Sequence, residues 1–165
     1  MRSPARALWR EVALSVPVLL LVVSSAGAKP SAPQTPIRPQ REFSSVIDGR
    51  VGGVVQGGNW NLVVPAGAFN GTTRISLVET FGGFPTVDLH MDDAALNQFA
   101  VPVVLSFHFG LMSAGRGKSI YWWNESQELW VELPTDALGR GALIQTALDH
   151  FSTYSVQPRG GKAGW

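Results

Sequence analysis

Apolar residues at every second position, Val101, Val103, Leu105, Phe107 and Phe109, constrain the fold of this chain more than any other feature. Ser106 and His108 fall between them. Side chains of an extended strand point alternately to opposite faces, so this spacing predicts a strand with one buried side. Pro102 sits near its beginning, where a missing amide donor is best tolerated. The alternation recurs where Ile75 and Leu77 interleave with Arg74 and Ser76, and where Val87 and Leu89 interleave with Asp88 and His90. Residues 119–123 and 129–133 flank a short polar run, the pattern of a hairpin. Further strands are predicted at 50–55, 60–64, 142–148 and 153–156, and only 93–98 shows a brief helical period. One-sided strands bury their apolar faces most simply against a second such sheet. The expected fold is therefore all-β, an antiparallel sandwich of about eight to nine strands.

The ends of the chain read differently. Arg2, Arg6 and Arg10 precede an apolar stretch from Val12 to Val23, and Ala26-Gly27-Ala28 follows as a small-x-small motif. That order predicts a cleaved secretory signal peptide over residues 1–28. The apolar stretch is shorter than the roughly 20 residues of a membrane-spanning helix and contains Pro17, so no stable membrane span is expected after cleavage. Residues 29–43 hold four prolines and are expected to form an extended linker. The sandwich is assigned to 44–157 and a loose tail to 158–165. The protein is expected to be exported, to a periplasm or outside the cell. Having no cysteine, it lacks the lipid-bearing N-terminus of a lipoprotein, a disulfide framework and a thiolate metal site.

Charge narrows the partners. The formal charge of +1 becomes −1 when residues 1–28 leave with three arginines and Glu11. Between Ser44 and Val156, five basic residues face ten acidic ones. A nucleic-acid binder needs a basic stripe to neutralise phosphates, and none is present. There is also no Ser-His-Asp order, Gly-rich phosphate loop or His-Glu-x-x-His helix, so no cofactor is expected.

Several segments together resemble one family. They are Val51-Gly52-Gly53-Val54-Val55, then Leu62-Val63-Val64-Pro65-Ala66-Gly67-Ala68-Phe69, then Thr73-Arg74-Ile75-Ser76-Leu77. Later come Ile120-Tyr121-Trp122-Trp123-Asn124 with Trp130-Val131-Glu132-Leu133, and the closing His150-Phe151-Ser152-Thr153-Tyr154-Ser155-Val156. In this order they resemble a ZU-five domain over about residues 47–156. Such domains serve as interaction modules in netrin receptors, ankyrins and tight-junction scaffolds, and related ones occur in exported bacterial proteins. The resemblance implies a non-catalytic interaction or structural module, here without the neighbouring domains of the large animal proteins.

Three groups of residues are candidate sites. In some relatives His-Phe-Ser marks a point of self-cleavage. Carried over, Ser152 would attack the Phe151 carbonyl while His150 takes its proton. The C–N bond would break in an N-to-O acyl shift, and water would then hydrolyse the ester. Alternatively, Phe151 and Tyr154 pack in the core while His150 and Ser152 satisfy local backbone groups. Second, Tyr121, Trp122 and Trp123 cannot all face inward, so one side of the strand needs a cover. With Trp60 and Trp130 they could form an aromatic patch for a protein or glycan, or simply brace the hairpin. Third, Asp88, His90 and Asp92 share a strand face. Such residues can hold a divalent ion, but they read more simply as a solvated outer face, so no metal site is assigned.

Overall fold

The computed structural model describes residues 40–111 and 114–160. The expected signal peptide, most of the expected linker and Trp165 lie outside the described residues. Among these, the chain forms eleven strands: β1 (Gln40–Asp48), β2 (Gly53–Gly57), β3 (Trp60–Val64), β4 (Thr72–Thr80), β5 (Thr86–Met91), β6 (Val103–His108), β7 (Lys118–Asn124), β8 (Leu129–Glu132), β9 (Asp136–Leu138), β10 (Leu143–Leu148) and β11 (Thr153–Pro158). They build two antiparallel sheets, one ordered β1-β4-β5-β11-β7-β8 and the other β2-β3-β6-β10-β9. The helical period at 93–98 is a single 3-10 turn, Ala94–Leu96, with the Asp93 carboxylate accepting from the Ala95 amide. No helix among the described residues is long and apolar enough to cross a membrane.

The core lies between the sheets and follows the alternation. Ile75 and Leu77 of β4, Val87 and Leu89 of β5, Ile120 of β7, and Tyr154 and Val156 of β11 are buried against Val55, Leu62, Val103, Leu105 and Ile144 of the other sheet. Burying each large aliphatic side chain contributes about 1.5–3 kcal/mol, so a core of this extent needs no disulfide. Between β1 and β2, Gly49 is obligatory. A Cβ there would lie 2.4 Å from the Phe69 carbonyl oxygen, and its own amide bonds the Gly71 carbonyl at 2.9 Å.

Five points of the expected layout need correction. The linker was expected to reach residue 43, yet Gln40–Phe43 belong to β1, which pairs with β4 from Gln40↔Thr80 to Asp48↔Thr72. An edge strand is held by backbone hydrogen bonds, which leave no apolar period to read. Short, exposed β9 escaped notice for the same reason: it pairs with β10 although all of its residues are exposed. Residues 50–52 turn rather than extend, because the Asp48 carboxylate accepts from the Arg50 amide and the Asp48 carbonyl from the Gly52 amide. Val101 precedes β6 and is 40% exposed. The tail also shortens: Pro158 ends β11, and the Arg159 amide bonds the Gly117 carbonyl at 2.8 Å.

Candidate functional site

The β7–β8 hairpin carries most of the candidate aromatics. Its turn is closed by Asn124, whose side-chain oxygen accepts from the amides of Ser126 and Gln127 at 3.1 and 3.2 Å, and by Glu128, which takes a left-handed φ of 51°. Register places Trp123 opposite Trp130 and Tyr121 opposite Glu132. Alternation then sorts the strand. Ile120 is fully buried in the core and Trp122 packs against it, while Tyr121 and Trp123 lie on the outer face.

The five aromatics do not form one patch. Trp60 lies in the opposite sheet at 0% exposure, its ring edge-on to Phe107 at 4.8 Å. Trp122 turns inward and meets the His150 ring at 5.3 Å. Tyr121 is 2% exposed. Its hydroxyl lies 2.9 Å from the Pro158 carbonyl and 3.0 Å from Glu132, its one proton serving either acceptor. The Glu132 carboxyl is held below the usual carboxylate range, first by the Ser119 hydroxyl, then by the Gly160 amide, the Tyr121 hydroxyl and the Arg159 guanidinium, against some desolvation. Tyr121 is thus buried on the outer face, with its hydroxyl tied to Pro158 at the end of β11.

Trp123 and Trp130 remain together on the outer face, half-buried, with ring centroids 5.3 Å apart and planes at 61°. The polar row of the same sheet continues that face. The Thr153 hydroxyl donates to Asp88 at 3.0 Å, and His90 lies 3.7 Å from the same carboxylate. Asp92 instead faces Arg74 at 3.9 Å. His108 is exposed on the other sheet, and no group of three or more potential ligands gathers among the described residues.

The His-Phe-Ser segment enters β11 in the middle of its sheet, between β5 and β7. Phe151 is buried, its ring edge-on to Phe99 at 4.7 Å. Asn97, which sequence reasoning missed, clamps the Phe151 backbone from both sides. Its side-chain oxygen accepts the Phe151 amide at 2.6 Å, and its amide nitrogen donates to the Phe151 carbonyl at 3.1 Å. The Ser152 hydroxyl donates to the Trp123 carbonyl at 3.4 Å. Among the described residues no hydrogen bond joins it to the His150 imidazole, which packs on Trp122. The His150 carbonyl accepts from the Tyr154 hydroxyl at 2.6 Å, and burial, with Asp149 nearby, pushes that hydroxyl above its ordinary range. A carbonyl-directed amide donor is therefore in place at Phe151, whereas no base among the described residues engages the serine.

Against known proteins, the chain matches no protein-family model and no curated sequence.

Proposed function

We propose that the chain is an exported, ZU-five-like β-sandwich that works as a non-catalytic interaction module, engaging a glycan or protein through the outer face of β7 and β8. The carrying observation is the Trp123–Trp130 pair, two partly exposed indoles on the same sheet as the polar groups of Thr153, Asp88 and His90. Indole faces stack on the apolar faces of sugar rings, and nearby hydroxyl, carboxylate and imidazole groups can bond the ring hydroxyls. This pairing favours a glycan over an apolar protein surface. Calorimetric titration with a panel of soluble polysaccharides is expected to find a ligand whose affinity drops about tenfold or more in Trp123→Ala. Equal binding by parent and variant, or no ligand in the panel, would remove the glycan reading.

Self-cleavage between Phe151 and Ser152 is the alternative, supported by the Asn97 amide on the Phe151 carbonyl, where negative charge would develop. The Ser152 hydroxyl and His150 ring point to other partners, so the expected intact mass of long-incubated protein is a single uncleaved species. A fragment beginning at Ser152, absent in Ser152→Ala, would establish the alternative instead.

A further inference from the structure

A carboxylate sits on the buried face of this sandwich. The inward alternation of β4 runs through Ile75 and Leu77 to Glu79, which is 6% exposed. Its Oε2 atom is buried without a hydrogen-bond partner, and no ion pair among the described residues includes it. The chain at Gly58 passes so close that a Cβ there would stand 2.4 Å from Oε2, and Gly58 has a φ of 57° that suits glycine. An ionised carboxylate left in this state is costly unless a donor or a cation compensates it.

Glu79 lines a cavity of about 190 Å³ with Asn59, Phe81, Pro85 and Phe107. A second cavity of about 380 Å³ shares Asn59, Pro85 and Phe107 and adds Phe84 and Phe109. Phe81 and Phe84 are 40% and 37% exposed at the rim. Phenyl faces attract cations through their quadrupole. The protein's own Arg41 demonstrates this at the site, its guanidinium lying 5.0 Å over the Phe81 ring.

We propose that these two neighbouring cavities bind a small organic cation with an apolar body, its charge toward Glu79 and its hydrocarbon part among Phe84, Phe107 and Phe109. The buried carboxylate supplies charge complementarity, and the aromatic walls supply both cation–π attraction and apolar area. Lys118 borders the larger cavity away from Glu79 and disfavours a second positive charge there. The site does not depend on the Trp123–Trp130 face.

The test uses 2-phenylethylammonium and benzyltrimethylammonium against neutral 2-phenylethanol, titrated into the isotope-labelled protein at pH 8 and followed by amide NMR. Saturable shifts are expected at Gly58, Asn59 and residues 81–85, with a Kd of about 1 mM. The neutral alcohol should bind at least about tenfold more weakly. Glu79→Gln should erase the preference for the cations. Phe84→Ala, at the exposed rim, should weaken both cations and leave the fold intact. Equal affinity for cation and alcohol, no saturable shift at these residues, or an unchanged preference in Glu79→Gln would each overturn the proposal.

Discussion

Trp60→Ala is expected to cost about 3–5 kcal/mol of folding stability, the largest loss of any substitution considered for this protein. The reason is position rather than chemistry. Trp60 opens β3, pairs with Gly57 on one side and Phe107 on the other, and has no exposed surface. Removing its indole leaves a cavity walled by Phe107 and the strands of both sheets, which the two-layer packing can collapse only in part. Its indole N–H is buried without an acceptor, so Trp60→Phe gives up area but also removes an unpaired donor and should cost markedly less. Urea denaturation measures both. A loss below about 1 kcal/mol in the alanine variant would mean that Trp60 is not a core residue and would return it to the candidate binding patch.

Asn97→Ala is expected to cost about 2–4 kcal/mol, from one half-buried loop side chain. Asn97 caps nothing apolar; its effect runs through the backbone of Phe151, whose amide and carbonyl would both lose their partner. Leaving either group buried and unsatisfied costs about 1–3 kcal/mol. Asn97→Asp keeps an acceptor for the Phe151 amide but sets a carboxylate against its carbonyl, so it should recover only part of the loss. Hydrogen exchange localises the effect: protection at the Phe151 amide should fall in both variants before that of the β4 and β6 amides. An unchanged Phe151 amide in Asn97→Ala would show that the clamp does not hold the entry to β11.

The two substitutions mark where the sequence was legible. Period-two alternation at 103–107, 75–77 and 87–89 located strands because each has one buried face, and the side-chain period of an extended chain is a local property. The same alternation, carried one step past Leu77, would have put Glu79 on the buried face. A lone acid among ten reads as surface until its strand is extended. Asn97 left no trace at all. Its partner is Phe151, distant in sequence, and a single side-chain amide in a turn has no pattern that names what it will bond. Among the candidate aromatics, alternation separated Trp122 from Tyr121 and Trp123 but could not say which face would find a cover.

Local order thus determined that this protein is built of one-sided strands, and with them the all-β class and the hairpin that bears Trp123 and Trp130. The pairing of the closing strand between β5 and β7, the burial of Trp60 and Tyr121, and the buried, unbonded Oε2 of Glu79 were decided only by the assembled sheets. Alternation is set residue by residue along the backbone. Which strand lies beside which, and what ends up facing water, depends on contacts between segments far apart in the chain, whose free energy belongs to the packed pair and to neither segment alone.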